Sequence, residues 1–303
     1  MDLPKLFNGL DKDLGSNLTH KIGNPPKIKT NDYFCVWSDL LGFGNVFFDN
    51  NWTLTSEQKM CIYQRLQRAH SIILHNSSPF YERNLILNDG FAKVFRVPTR
   101  LEDINSIHLL SLYLRSSIEN HIRINETEKE FGYAGCRTVL SFGEGIEYLS
   151  DEIRFDDYVA NYTKPKGQEI SSIAKNNGNP VIIYNPKELQ MNIAFSKAYT
   201  LESGGSRIGI KGNRYYIEES VLTGIQRIAE NQGFKIQILK NDEKYIKYLV
   251  PYKKGNNDNV VLGFNFSSDV IETEIRGWKT KVYRLLNYYP HDEKISEFSF
   301  ELE

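Results

Sequence analysis

The chain has 303 residues, 40% of them hydrophobic, with 37 basic and 38 acidic side chains and a net charge of -1. This supports one large core or two moderate ones and leaves no global electrostatic footprint for nucleic acid or a membrane surface. Cys35, Cys61 and Cys136 form no CxxC spacing, which sets aside a disulfide framework and a zinc site, and no stretch approaches the roughly 20 apolar residues of a membrane span.

The N-terminal stretch lacks the apolar run of a signal peptide, so a soluble, cytoplasmic protein with reduced thiols is expected. Residues 1–31 are polar, carry "GNPPK" in the middle and read as a leader. From Tyr33 the run "YFCVW" is a buried strand that delivers Asp39, Leu40 and Leu41 to the loop Gly42, Phe43, Gly44. "TLTSEQKMCIYQRLQRAHSIIL" predicts a helix, with Thr55 or Ser56 as N-cap, Glu57 in the first turn and an apolar stripe of Met60, Tyr63, Leu66 and Ile73. "ERNLILNDGFAKVFRVP" predicts two strands around Asn88-Asp89-Gly90, because Asn or Asp before Gly tolerates the positive φ of a tight turn. From about Leu101 to Ile124, Ile104, Ile107, Leu110, Leu114, Ile118 and Ile122 recur at helical spacing, and "CRTVLSFG" reads as a strand. Strand, helix, hairpin, helix, strand predicts an α+β fold of ferredoxin-like or palm type, an antiparallel sheet with helices on one face.

Beyond this, "NYTKPKGQEISSIAKNNGN" reads as a loop or a mobile helix and "VIIY" as a strand. "PKELQMNIAFSKAYTLESGG" follows as a helix with Pro186 at or near its start. The last third predicts short strands in "SRIGIKGNRYYIE", "FKIQIL", "YIKYLVPY" and "VVLGFNF", with helices near 218–231 and 277–288. The expected organisation is a leader over 1–31, a core unit over 32–220 and an elaborated C-terminal α/β extension over 221–303, packed on the core.

In the palm order the first strand and the hairpin lie side by side, so Asp39 at a strand end meets Asp89 at the hairpin tip. Two converging carboxylates repel each other unless a cation lies between them, and an oxygen donor set favours Mg²⁺ or Mn²⁺. Glycines after Asp39 open backbone N–H groups, and the start of the following helix, to phosphate oxygens. Each motif by itself is common: an aspartate at a strand end usually caps a turn, and Asn-Asp-Gly hairpins form without any chemistry. It is their combination around one helix that points to a site.

"WSDLLGFG" and "LILNDGFAKVF" resemble the two metal-binding segments of the class III nucleotidyl cyclases, over roughly residues 33–218. The resemblance implies that Asp39 and Asp89 bind two divalent ions, Mn²⁺ or Mg²⁺, that Leu40 lends its backbone carbonyl, and that Gly42, Phe43 and Gly44 touch phosphates. In that family a later helix carries an asparagine and, after a few residues, an arginine that meets the triphosphate. Here Asn192 stands in the comparable helix, but the arginine position falls on Ser196, with Lys197 beside it. By the resemblance Asn192 orients the ribose, Lys197 supplies charge without a bidentate fork, and the site forms at a head-to-tail homodimer interface.

Four residues along a strand advance about 13 Å, which puts a base near the positions four before each aspartate. Purine cyclases use polar or charged residues in this neighbourhood, whereas here stand Cys35 and Leu85. Tyr33 and Trp37 share the face of Asp39, as Arg83 and Leu87 share that of Asp89. Arg83 has the length to reach toward a base, and Tyr33 or Phe43 the surface to pack against one. The plainer reading, slightly favoured, makes Tyr33 and Trp37 core aromatics and Arg83 a solvated strand end. The chain further resembles the bacterial Pycsar-type pyrimidine cyclases, which make cyclic UMP or cyclic CMP from UTP or CTP during phage infection and signal to an effector. A palm-type nucleotidyltransferase making a cyclic di- or oligonucleotide would use the same carboxylates, and an idle palm domain that senses a nucleotide is the non-enzymatic alternative.

His70 and His75, five apart on a helix, do not share a face as a metal pair would. Arg137 reads either as a phosphate contact at the sheet edge or as a solvated strand residue, and Glu144 and Glu147 are unconvincing as catalytic groups.

Overall fold

The computed structural model of the chain describes residues 29–78, 82–98, 106–147, 172–176, 179–183, 189, 191–241, 245–254, 257–290 and 300–301. In chain order the elements are β1 (Lys29–Leu40), α1 (Asn45–Asp49), α2 (Ser56–His75), β2 (Glu82–Leu87), β3 (Gly90–Arg96), α3 (Ser106–Glu130) and β4 (Cys136–Glu147). Then come β5 (Ser172–Asn176), β6 (Asn179–Ile183), α4 (Ile193–Gly204), a 3-10 turn (Gly205–Ile208), β7 (Tyr215–Glu218), α5 (Ser220–Asn231) and β8 (Gln237–Asn241). The chain ends in β9 (Tyr245–Lys254), β10 (Asn257–Ser267), β11 (Ile271–Ile275), β12 (Trp278–Tyr289) and β13 (Phe300–Glu301).

The chain divides into two compact units, Met1–Thr30 with Ile146–Lys187, and Asn31–Gly145 with Glu188–Glu303. Of the first, the described part is an antiparallel hairpin pairing Ser172 with Ile183 through Asn176 with Asn179. The second is built on a sheet in the order β2-β3-β1-β4-β7-β12-β10-β9-β8, with β11 and β13 also pairing to β12.

The predicted ferredoxin-like order is present in β2-β3-β1-β4. β1 runs antiparallel to β3, from Tyr33 opposite Arg96 to Asp39 opposite Gly90. It also runs antiparallel to β4, for Leu41 N–H donates to Gly135 O at 2.8 Å while the Tyr33 ring lies against Gly145 at the other end. "YFCVW" reads as a continuous apolar run because both faces of β1 are covered. Phe34 and Val36 enter a core with α3 and α5, while Tyr33, Cys35 and Trp37 enter another with Ala194, Ala198 and Leu201 of α4. α2 packs on the α3 side, where Ala69 and Ile73 meet Leu40, Phe91 and Ile124. The two helices of the unit therefore share one face, as expected, and α4 covers the other. Asp39, in phase with Trp37, falls on the α4 side.

Three local expectations are corrected. Met60 and Tyr63 are 55% and 59% exposed, and the buried residues of α2 are Arg65, Ala69 and Ile73. Ile73 and Leu66 of the predicted stripe do pack inward, but Met60 and Tyr63 do not, because a paired arginine occupies the inner face instead. The segment predicted as a helix near 277–288 is β12: Thr280 and Val282 are buried between exposed Lys279 and Lys281, the period-two pattern of a strand. "SRIGIKGNRYYIE" yields a 3-10 turn and only the short β7. α4 starts at Ile193 with Asn192 as its N-cap, and Pro186 lies outside the described residues. All three cysteines are free, with Cys35 and Cys136 buried and Cys61 exposed.

Candidate active site

Asp39 ends β1 opposite Gly90, the residue after Asp89, and Leu40 N–H donates to Asp89 O at 3.2 Å. The hairpin tip is held by Asn88 at φ 56°, and His70 of α2 donates from Nε2 to Asn88 O at 2.8 Å. His70 is thus a positional tie for Asp89. Gly90 is required by contact: a Cβ there would meet the Trp37 ring at 2.5 Å and Asp39 Oδ1 at 3.3 Å. The turn after Asp39 uses Gly42 at φ 67°, a conformation that glycine adopts without strain. Within it Phe43 N–H donates to Leu40 O at 3.3 Å and Asn45 N–H to Gly42 O at 3.2 Å. Among the described residues, the amides of Gly42 and Gly44 donate to no group. α1, only five residues long and capped at Gly44, follows at once.

Both carboxyls are costly to ionise here. Burial, the nearby Glu202 carboxylate and Asp89 push Asp39 up to about 7, against the opposing pull of Arg137 and Arg65. Burial also raises Asp89, opposed by its own backbone amide, by Asn88 Nδ2 at 3.1 Å from its Oδ1, and by Arg65. Among the described residues neither aspartate forms an ion pair.

A divalent cation fits this donor set. Two oxygen-only ligands converge, half-buried, and among the described residues no cation is bonded to them and the Leu40 carbonyl accepts one long hydrogen bond, from Phe43 N–H. No cluster of three or more His, Cys, Asp or Glu with metal-binding geometry occurs among the described residues. Any ion held here therefore relies on the aspartate pair, the Leu40 carbonyl and ligands from outside the chain, as is usual for Mg²⁺ at nucleotides.

No family model matches the sequence, and no curated protein matches it. Among solved structures, the chain is similar to the guanylyl cyclase Cya2, at 11% identity over 91% of this chain and 98% of that one, with a TM-score of 0.41. It is likewise similar to the adenylyl cyclase CyaB from P. aeruginosa, at 8% identity over 89% of this chain and 100% of that one, with a TM-score of 0.40. A bacterial light-regulated adenylyl cyclase shares 12% identity over 73% of this chain and 91% of that one, with a TM-score of 0.37. Likeness at this level assigns neither activity nor substrate.

The other residues singled out from the sequence lie as follows. Tyr33 is 1% exposed in the α4-side core and Phe43 is 4% exposed against α2. Cys35 and Leu85 belong to the same core as Tyr33. Arg83 is exposed on β2, donating from Nη1 to Glu82 O at 3.2 Å. Asn192 is buried, and its Oδ1 accepts from Phe195 N–H at 3.0 Å as the cap of α4. Lys197 reaches Ser220 Oγ at 3.0 Å, Phe142 O at 3.2 Å and Glu218 Oε2 at 3.5 Å.

Three charged residues act on Asp39, namely Glu202, Arg137 and Arg65, of which the sequence singled out Arg137 alone. Glu202 is 4% exposed and accepts at Oε1 from Arg137 Nη2 at 2.6 Å, so Arg137 is neither solvated nor open to phosphate. A carboxylate in the last turn of a helix opposes the helix dipole. That was the one available signal that Glu202 has a partner. Arg65, the third, carried no signal at all, since an arginine in a helix is normally a surface residue.

Proposed function

We propose that the protein is a nucleotidyl cyclase, converting a nucleoside triphosphate to its 3′,5′-cyclic monophosphate and pyrophosphate. The observation that carries this is the meeting of Asp39 and Asp89 on adjacent elements, both raised by burial and without an ion-pair partner among the described residues, beside a turn with open amides. Two divalent ions, Mn²⁺ or Mg²⁺, would supply charge neutralisation at the triphosphate and activation of the attacking 3′-hydroxyl. Asp39, Asp89 and the Leu40 carbonyl would hold these ions, and the Gly42 and Gly44 amides would donate to phosphate oxygens. In the reaction the 3′-hydroxyl gives its proton to water, its oxygen bonds to the α-phosphorus, the bond from that phosphorus to the bridging oxygen breaks, and pyrophosphate leaves with the electron pair.

Asn192 orients the ribose and Lys197 meets developing charge, both from a second copy of the chain in a head-to-tail homodimer. Lys197 must then turn from Ser220 and Glu218 toward the phosphates. The substrate is UTP or CTP. Cys35, buried in the core, and Leu85, partly buried against it, favour this choice, because neither offers the polar contact to a purine edge that purine cyclases use there. In this reading the product is an antiphage second messenger that acts through a separate effector.

The test is incubation with each of the four nucleoside triphosphates and Mn²⁺, scoring pyrophosphate and the product's mass. A cyclic monophosphate from UTP or CTP supports the reading, a cyclic dinucleotide replaces it with a nucleotidyltransferase, and bound but unconverted nucleotide with a sensor. Mixing Asp39→Ala with Asn192→Ala protein tests the shared site. Partial recovery of activity is expected, and a dead mixture of two folded, dimeric variants rejects it.

A further inference from the structure

Arg65 sits in the middle of α2, 6% exposed, with nothing in its local sequence to call for a buried cation. Its Nε lies 3.0 Å from both carboxylate oxygens of Glu128 on α3, and its Nη2 is 2.5 Å from Oε2. The guanidinium stacks on Tyr133, 4.3 Å from the ring centroid, and lies 5.7 Å from that of Phe43. Nη2 also donates to Leu41 O at 3.0 Å, in the turn that follows Asp39.

That last bond has a directional consequence. A peptide unit is planar and trans, so the carbonyl of one residue and the N–H of the next point in opposite directions. Leu41 N–H is fixed on Gly135 O, which turns the Leu40 carbonyl the other way. Leu41 O is fixed on Arg65, which turns the Gly42 N–H away from α2, and that amide has no acceptor among the described residues. One ion-paired side chain thereby sets the direction of a backbone donor next to Asp39. Stability alone does not explain the pair, because replacing a buried ion pair by apolar residues of similar volume is often neutral or stabilising. What apolar residues cannot supply is the directed bond to Leu41 O.

We propose that Arg65, clamped by Glu128, is a positioning residue that aims the Gly42 amide at a phosphate oxygen of the substrate. This rests on the cyclase reading for the identity of the substrate, but not for the phosphate contact itself. The probe is inorganic triphosphate with Mn²⁺, which carries the phosphates without base or ribose. Its binding is measured by calorimetry on wild type, Arg65→Lys and the double variant Arg65→Met with Glu128→Leu, together with turnover and melting temperature.

The double variant is expected to melt no lower than wild type, to bind triphosphate at least 10-fold more weakly and to turn over at least 10-fold more slowly. Lysine, which keeps the charge but not the fork, restores binding only in part. If the double variant does not fold, Arg65→Lys carries the test, with a loss of at least 3-fold in binding expected. Variants that fold and bind triphosphate within 2-fold of wild type overturn the positioning role. A wild type that does not bind triphosphate overturns the phosphate contact. A wild type that binds triphosphate but cyclises no nucleotide overturns the cyclase reading and leaves Arg65 to be judged on binding.

Discussion

Replacing Asp39 by asparagine removes a charge that the folded chain holds at a cost. Burial, Glu202 and Asp89 raise this carboxyl from an ordinary 3.8 to about 7. The native state therefore binds the proton more tightly than the unfolded chain does. The contribution of the protonated carboxyl to stability is fully present below about pH 3.8 and is lost as pH rises to about 7. The difference is worth at most about 4 kcal/mol at ~1.36 kcal/mol per pH unit, and partial solvent access to Asp39 reduces it to about 2 kcal/mol. For a compact unit of this size that is a rise of roughly 4–8 °C in melting temperature for Asp39→Asn at pH 8, fading toward zero near pH 3.5. The measurement is a pair of thermal melts for each protein in EDTA at the two pH values, repeated at pH 8 with Mn²⁺. The cation should raise the melting temperature of wild type and leave the asparagine variant almost unmoved. An asparagine variant less stable than wild type at pH 8, or a difference independent of pH, would refute the repulsion argument.

Gly90→Ala places a methyl 2.5 Å from the Trp37 ring, so it should cost about 1–3 kcal/mol in urea unfolding. Because the same Cβ lies 3.3 Å from Asp39 Oδ1, it should also weaken Mn²⁺ binding, read by electron paramagnetic resonance. Lys93 and Glu82 form a fully buried ion pair at 3.1 Å. Glu82→Leu alone should cost about 3–5 kcal/mol, whereas Glu82→Leu with Lys93→Met should recover most of that, as a double-mutant cycle in urea would show. Asn192→Ala removes the cap bond to Phe195 N–H and should cost about 1 kcal/mol. A much larger loss of turnover than of stability would assign Asn192 a role beyond capping.

The sequence by itself determined the elements from β1 to β4, the short α1 excepted, and the place of the aspartate pair. The continuous apolar run "YFCVW", the Asn-Asp-Gly turn and the 3.6-residue spacing of Ile107, Leu110, Leu114 and Ile118 are local signals, and they survived into the fold. Where side chains meet across distant elements, local signals fail. Arg65 and Glu128 are 63 residues apart and Arg137 and Glu202 are 65 apart. Each looks like a surface charge until the sheet and helices close around it. The same holds for β12, which reads as a helix near 277–288 until pairing with β7, β10 and β11 fixes its alternation. Periodicity records which face of an element is apolar. Only tertiary packing decides which charges are enclosed with a partner, and around Asp39 and Asp89 those enclosed charges set the electrostatics of the site.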